Sequence, residues 1–220
     1  MKLNLPFIAQ GDLLYLQAAY GEGALNYTRA QGAIGSEVNA TNFNNRFNVN
    51  INDAAVDAFG RLHLTKSWSV VGALQHYWTP QVRSAVFGSY SKIDYDSILR
   101  TPFGPAGVLP IATANGVTNF GNLVNQALSP TLRDYNVAVV GSNTTWSPVK
   151  DLDIGVETVY QRIEIDKGRV VDTNKNLPIG AINNVTGAIV PLGSPQSTVI
   201  FKSAKVDDQF LARVRVQRDF

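Results

Sequence analysis

Two histidines, His63 and His76, are the side chains of this 220-residue chain best suited to act as general bases near neutral pH. They fall on opposite parities of one predicted strand, residues 61–79, so their rings should point to opposite faces of a sheet. A general base needs an oriented partner within hydrogen-bond reach, and the sequence identifies none for either ring. We therefore expect both histidines to be structural and predict that the protein is not an enzyme.

Three carboxylates, Asp153, Glu157 and Glu164, lie close enough in the sequence to be considered as a general acid and base. Asp153 and Glu157 share the parity of Gln161, which places these three side chains on one face of a strand. This spacing is more typical of a polar strand face than of a catalytic pair.

Metal, cofactor and nucleic-acid sites find little support in the sequence. The chain has no cysteine, which excludes thiolate ligands. A net charge of +2 without a basic run gives no reason to expect nucleic acid as a partner. We expect no cofactor and no metal, although two acidic pairs lie at the bases of long connections without the spacing of a dedicated calcium loop: Asp94 with Asp96, and Asp207 with Asp208.

The composition is typical of a sheet in which apolar and polar side chains are interleaved. Charged residues make up only 16% of the chain, against the ~25% usual in soluble domains, while hydrophobic residues reach 45%. No apolar run approaches the ~18 residues that a transmembrane helix requires. A membrane β-barrel and a soluble β-sandwich both fit this composition.

The last segment, residues 210–220, alternates most clearly between apolar and polar side chains. The ten residues between its two Phe span ~25 Å of membrane normal, at ~3.3 Å per residue and a tilt near ~40°. That height matches the apolar band of a membrane barrel. One face carries Phe210, Ala212, Val214, Val216, Arg218 and Phe220, and the other carries Leu211, Arg213, Arg215, Gln217 and Asp219.

Five earlier segments also read as strands, at about residues 12–29, 61–79, 82–95, 134–146 and 152–161. A turn could be placed at Lys66 and Ser67, but the apolar residues before and after it, such as Leu64 and Trp68, share the even parity. The segment 61–79 is therefore predicted to be one strand. Both parities of 134–146 are mixed, so its lipid-facing side is left open. Long connections should leave one end of the strands and short turns the other, as in membrane barrels; the long connections are residues 30–60, 96–133 and 168–207.

These strands predict an all-β fold, an antiparallel transmembrane β-barrel, and the parity of each strand assigns roles to two sets of side chains. Arg213 and Arg215 are the strongest functional candidates, because fixed charge on a lumen face biases the passage of ions. Aromatic side chains should form girdles at the membrane interfaces. The predicted pore-lining residues are Gln75, Tyr77, Arg83, Asp153, Glu157, Gln161, Arg213, Arg215 and Gln217. The predicted girdle residues are Trp68, Trp78, Trp146, Tyr160, Phe210 and Phe220.

Four stretches resemble the alpha-proteobacterial porin family, the general trimeric porins of the outer membrane. They are KLNLPFIAQGDLLYLQAAYGEGALNY, LTKSWSVVGALQHYWTP, VRSAVFGSYSKIDYD and the terminal QFLARVRVQRDF. The resemblance implies passive diffusion of small hydrophilic solutes and ions through a water-filled channel. It also implies a homotrimer in outer-membrane lipid. Phe220 would be the signal read by the barrel-assembly machinery.

The chain also departs from this family, whose members are about twice as long and resemble sixteen-stranded barrels. About six strands fall short of the eight that the smallest membrane barrels use, and Leu3, Leu5 and Phe7 alternate like the end of one more strand. We therefore expect residues 1–220 to be the C-terminal part of one porin barrel, a fragment truncated at its N-terminus. The alternative is a secreted β-rich binding or adhesion module that uses the long connections as its contact surface.

Overall fold

The computed structural model describes residues 1–28, 52–57, 59–100, 132–172, 181–183, 189–190, 197–198 and 203–219. These residues form a mostly antiparallel all-β fold with two short 3-10 helices, Leu25–Tyr27 and Ser97–Arg100. No helix among them is long and apolar enough to cross a membrane. The strands are β1 (Lys2–Asn4), β2 (Leu13–Glu22), β3 (Ala54–Val56), β4 (Leu62–Leu64), β5 (Lys66–Thr79), β6 (Val82–Asp94), β7 (Tyr135–Val149), β8 (Leu152–Ile165), β9 (Val170–Val171), β10 (Ala181–Asn183), β11 (Ile189–Val190), β12 (Ser197–Thr198), β13 (Ser203–Ala204) and β14 (Val206–Arg218).

One sheet of seven strands dominates the fold, in the order β1-β2-β5-β6-β7-β8-β14. Every neighbouring pair is antiparallel, and the six long strands correspond to the six predicted from alternation. The sheet is open, with β1 and β14 as its edges. Three small sheets accompany it: β3 with β4, β9 with β13, and β10 with β11 and β12.

The two ends of the large sheet differ as the sequence predicts. Tight turns join β5 to β6 and β7 to β8 at one end, here called the turn end, whereas the long connections leave the other, here called the loop end. Local chemistry fixes the turns: the Oγ1 of Thr79 accepts hydrogen bonds from the amides of Gln81 and Val82, and Asp151 adopts a φ of 63°. Asp and Asn tolerate this left-handed conformation better than most residues.

The predicted strand 61–79 is wrong in its first residues. The sheet strand begins at Lys66, and Leu62–Leu64 belongs to a separate hairpin with β3. Thr65 explains the change, because its amide donates to the carbonyl of Asp53 at 2.9 Å while its carbonyl accepts from the amide of Gly23 at 2.8 Å. The chain thus passes from one sheet to the other without a turn at Lys66, and the alternating strand directions predicted for the large sheet are kept.

The hydrophobic core lies on one face of the large sheet, in its loop-end half. Strands β7 and β8 contribute six of its thirteen described buried residues, and Leu99 from the second 3-10 helix packs into it. The opposite face has no such cover in the described part of the chain, where many large apolar side chains are exposed. The buried apolar residues of the large sheet are Ile93, Tyr135, Val137, Val139, Val159, Ile163 and Ile165.

Candidate functional site

The strand register sorts the predicted functional residues onto the two faces of the sheet, because residues directly opposite each other share a face. Arg215 faces Gly155, Gly155 faces Thr145, and Thr145 faces Arg83. Through such rows, all nine predicted pore-lining residues lie on one face, here called the polar face. The described girdle residues lie on the other, here called the apolar face. The final Phe220 lies outside the described residues.

A three-strand hydrogen-bond network occupies the turn end of the polar face. Arg83 on β6 places Nη2 2.6 Å from a carboxylate oxygen of Asp153 on β8. Ser147 on β7 donates to the same carboxylate at 2.5 Å and accepts from Nη1 of Arg83 at 3.2 Å. The guanidinium charge of Arg83 is therefore neutralised locally, and the three side chains hold three neighbouring strands in one register.

A second ion pair joins the last two strands of the sheet. Arg213 on β14 lies directly opposite Glu157 on β8, and its Nε and Nη2 both lie 2.6 Å from Oε2 of that glutamate. Sequence reasoning identified both residues but missed their pairing. The register between β8 and β14 is set across a connection of forty residues, 166–205, and no turn motif specifies it.

Arg215 differs from the other two arginines of the polar face. Within the described part of the chain it forms no ion pair, and its side-chain hydrogen bond goes to Oε1 of Gln217. Gln217 in turn donates to Asp219 at 2.9 Å. Space is open beside Arg215, because Gly155 stands opposite and an added Cβ there would meet nothing closer than 3.6 Å. Of the three guanidinium groups on this face it is the one outside an ion pair, and the exposed Lys2 on β1, opposite Tyr15, adds a second such cation to the face.

The loop-end half of the same face is largely buried, and it is apolar where β7 and β8 form it, which the sequence did not predict. Gln161 lies at the transition, opposite Gln209 on one side and the buried Val139 on the other. Beyond it come Val137 and Ile163, also buried. The mixed parity of residues 134–146 could have indicated this burial, since it reflects a strand with apolar side chains on both faces. The ion-paired arginines are consequently in the turn-end half, whereas the carboxylate in the loop-end half, Asp207, is buried.

Aromatic residues on the apolar face form two rows. Trp68, Tyr160 and Phe210 lie toward the loop end, whereas Trp78 and Trp146 lie toward the turn end. The loop-end row also contains two tyrosines that sequence reasoning did not name, Tyr20 and Tyr90. Trp68 and Trp78 are ten residues apart on β5, a separation of ~33 Å along the strand.

The loop-end aromatic row slants across the sheet. Phe210 and Tyr160 are in register with Gly72 on β5, which is four residues from Trp68. The row begins at Tyr20 on β2, which lies opposite Trp68, and ends at Phe210 on β14, five strand spacings away. It therefore shifts by ~13 Å along the strands over ~24 Å across them, a slant of about 30° at standard strand spacings. Charged side chains follow directly beyond it, namely Glu22, Lys66, Lys92, Arg162 and Asp208.

The two histidines occupy different sheets, contrary to the prediction that one strand holds both. His76 lies on the apolar face, with Nδ1 2.7 Å from Asp12 and its ring edge-on to Trp78. Ser84 is its cross-strand neighbour, but the Ser84 hydroxyl bonds to Thr144 at 2.9 Å and to the Trp78 indole at 3.0 Å, not to His76. The described geometry therefore assembles no Asp-His-Ser relay.

His63 lies instead in the β3–β4 hairpin. Its Nε2 lies 3.1 Å from Asp57 and its Nδ1 2.9 Å from Asp96. Both histidines thus have carboxylate partners, which the sequence did not reveal because Asp12 and Asp96 are distant in the chain from the rings that they contact.

The other carboxylates considered from the sequence are held in ion pairs or buried. Glu164 lies on the apolar face and pairs with Lys205 at 2.8 Å, so it does not join Asp153 and Glu157. Lys92 contacts Asp94 at 3.2 Å. Asp208 accepts from the hydroxyl of Tyr160 at 2.7 Å, and Asp207 is buried. Among the described residues, no group of three or more His, Cys, Asp and Glu side chains is arranged to hold a metal ion.

Comparisons with protein-family models, with curated proteins and with solved structures found no match to this chain. The arrangement of side chains on the two faces therefore carries the functional interpretation.

Proposed function

We propose that the chain forms part of the wall of a bacterial outer-membrane β-barrel, a porin that lets small hydrophilic solutes and ions diffuse passively. The observation that carries this proposal is the contrast between the two faces of one sheet. The polar face has paired and free guanidinium groups at its turn end, whereas the apolar face is exposed and bordered by aromatic rows. A water-filled lumen on one side and lipid on the other satisfy both faces.

Exposure of the apolar face is the first support. Phe210, Val214 and Val216 on β14 are exposed by 70%, 72% and 66%. Contiguous apolar surface beyond a few hundred Å² is rare on soluble monomers and marks an interaction surface. Lipid is the partner proposed here, which makes a secreted binding or adhesion module the weaker alternative.

The slanted aromatic row is the second support. If a membrane interface follows that row, the strands are tilted by about 30°, close to the ~35–45° of membrane barrels. At that tilt the ten residues from Trp68 to Trp78 place the two rows ~29 Å apart, close to the ~25 Å height of the lipid-facing band of such barrels. The charged residues just beyond the loop-end row would then lie among the lipid headgroups.

The open sheet requires further strands in this proposal. Unpaired backbone groups at an edge cost several kcal/mol each in hydrocarbon, so membrane barrels are closed. On the basis of the resemblance to sixteen-stranded trimeric porins, we propose that further strands pair with both edges of the sheet and close it into a barrel, of which residues 1–220 form the C-terminal part. Recognition of Phe220 by the barrel-assembly machinery belongs to the same proposal.

Tryptophan fluorescence in lipid vesicles tests the orientation of the faces. All three tryptophans of the chain, Trp68, Trp78 and Trp146, lie on the apolar face. After the barrel that contains this chain is refolded into phosphatidylcholine vesicles, with any tryptophan outside these residues replaced by phenylalanine, lipids brominated near the headgroup should quench these three more strongly than lipids brominated near the chain ends. Quenching by aqueous acrylamide as strong as in unfolded chain, with none from either brominated lipid, would refute the proposal.

Conductance provides the functional test. The barrel that contains this chain should give stepwise, voltage-stable openings in planar bilayers and should equilibrate small sugars across vesicle membranes without an energy source. A barrel that inserts but passes neither ions nor sugars would contradict the assignment as a diffusion channel.

A further inference from the structure

His63 bridges two connections at the loop end of the sheet. Its Nε2 lies 3.1 Å from Oδ2 of Asp57, in the turn of the β3–β4 hairpin. Its Nδ1 lies 2.9 Å from Oδ2 of Asp96. Asp96 lies two residues after the end of β6 and immediately before the 3-10 helix Ser97–Arg100. The ring thus joins the hairpin in the β2–β5 connection to the base of the β6–β7 connection.

The protonation state of His63 decides whether both contacts can form. An ionised carboxylate accepts hydrogen bonds and donates none, and a neutral imidazole has only one N–H. Both contacts therefore require the imidazolium, which carries a proton on each nitrogen. In agreement, the hydrogen bonds to Asp57 and Asp96 raise the pKa of His63 above its ordinary value.

Asp57 is the fixed partner. Its side chain is fully buried and accepts hydrogen bonds from the amides of Phe59 at 2.8 Å and Arg61 at 3.0 Å. The guanidinium of Arg61 adds a contact at 3.0 Å. Burial alone would raise the pKa of Asp57, but these donors together with His63 outweigh it and hold the pKa well below its ordinary range.

Asp96 is the releasable partner. Its side chain is 47% exposed, and besides His63 it accepts from the amide of Ile98 at 3.1 Å. These two hydrogen bonds lower the pKa of Asp96, and the positive charge of Lys66 adds to the effect. When the ring loses a proton, the single remaining N–H stays with the buried Asp57, because water can replace the lost donor only at the exposed Asp96.

We propose that His63 is a pH-sensitive latch between the β3–β4 hairpin and the base of the β6–β7 connection, closed when the ring is protonated and open when it is neutral. Opening matters because the carbonyl of Asp96 accepts from the amide of Leu99 at 3.0 Å, and Leu99 packs into the buried core of the polar face. The latch thus couples the charge of one ring to the position of a helix against the wall. The contact of the Asn52 amide with the Tyr95 hydroxyl at 3.3 Å joins the same two connections without a titratable carboxylate.

The pH window follows from the directions of the three shifts. A raised histidine pKa stabilises the closed latch at low pH, and this contribution is lost as pH rises through the folded-state value. The lowered pKa values of Asp57 and Asp96 set the acid limit, because the contacts are lost as pH falls through those values. The latch is therefore closed from the depressed range of Asp57 and Asp96 up to the raised pKa of His63, and open above it.

Proton NMR of the 220-residue chain in detergent micelles tests the first part of the proposal. Only two histidines contribute ring signals, and His63→Asn and His76→Asn assign them. We expect His63 to titrate above the ordinary value of 6.5, Asp96→Asn to bring its midpoint back toward that value, and His76→Asn to leave it unchanged. A His63 midpoint at or below 6.5 overturns the latch.

Spin-label distances test the opening itself, and the absence of native cysteine makes the labelling specific. Val56→Cys and Ser97→Cys place labels at exposed positions on the two joined elements. The distance distribution should broaden as pH rises through the His63 midpoint, and in the Asp96→Asn background the transition should move with that midpoint. A distribution that stays constant while His63 titrates overturns the proposal. Neither readout depends on channel activity, so failure here leaves the pore proposal intact.

Discussion

Arg213 on β14 and Glu157 on β8 face each other directly across the last hairpin of the sheet, with two guanidinium nitrogens 2.6 Å from one carboxylate oxygen. The pairing changes what the positive charges of this face can do. Arg83 is similarly paired with Asp153. Among the three arginines of the described polar face, Arg215 is therefore the one that no ion pair holds.

The first prediction is that Arg215 contributes more to the anion preference of this part of the wall than either of the two paired arginines. In the intact barrel, Arg215→Glu should shift the reversal potential toward cations in planar-bilayer recordings under a salt gradient, since charge acts over a screening length of ~8 Å in physiological salt. Single-channel conductance should stay within about a factor of two, because the pore remains open. Arg215→Lys keeps the charge and should leave selectivity unchanged.

Arg213→Glu provides the comparison. Its effect on selectivity should be harder to interpret, because the new carboxylate at position 213 lies directly opposite that of Glu157 and the two repel. An equal selectivity change from Arg213→Gln and Arg215→Gln, without loss of stability in either, would contradict the distinction between a paired and an available arginine.

The second prediction concerns the strength of the Arg213–Glu157 pair. Exposed ion pairs and cross-strand charge pairs contribute about 0.2–1 kcal/mol, so a double-mutant cycle of Arg213→Gln and Glu157→Gln should give a coupling energy in that range. Urea unfolding of the protein in detergent measures it. The charge reversal Arg213→Glu combined with Glu157→Arg should restore stability relative to Arg213→Glu alone. A coupling of zero would mean that the pair adds no stability in solution.

The third prediction compares two glycines on the polar face. A Cβ at Gly141 would lie 2.4 Å from the ring of Phe87 and 2.9 Å from the carbonyl of Thr158, whereas at Gly155 the nearest atom is 3.6 Å away. Gly141→Ala should therefore lower the free energy of unfolding by about 1–3 kcal/mol, and Gly155→Ala should be neutral or slightly stabilising. Equal unfolding midpoints for the two variants would contradict the packing of Phe87 over Gly141.

The long strands, their alternating directions and the faces of several of them could be predicted from the sequence because they follow from short-range patterns. Alternation with a period of two places Val214 and Arg215 on opposite faces whatever the register. Short turns such as that at Thr79–Val82 then fix antiparallel neighbours. The six long strands, with their ends shifted by a few residues, could thus be derived without any knowledge of long-range pairing.

The pairings that define the candidate site could not be derived in this way. Arg213 meets Glu157 only because β14 returns to β8 after forty residues, and His63 meets Asp96 through a hairpin that leaves the large sheet at Thr65. Alternation contains no information about either event. The buried loop-end half of the polar face was missed for a related reason, because a strand that is apolar on both sides, such as β7, loses the period on which the assignment depends.

The last prediction tests the apolar face at its most exposed strand. Val214 lies opposite Val156, which is also exposed, and the described sheet has nothing covering either side chain. If that face meets lipid, Val214→Arg should reduce insertion into vesicles, because an arginine facing hydrocarbon near the midplane costs about 2–4 kcal/mol. Gln217→Arg is the matched control, since it adds the same side chain to the same strand on the polar face and should be tolerated. The fraction of protein that becomes resistant to protease after refolding into vesicles measures both variants. If Val214→Arg inserted as well as the unmodified chain while Gln217→Arg failed, the two faces would be inverted, and the aromatic rows would have to be reinterpreted as packing inside a soluble sandwich.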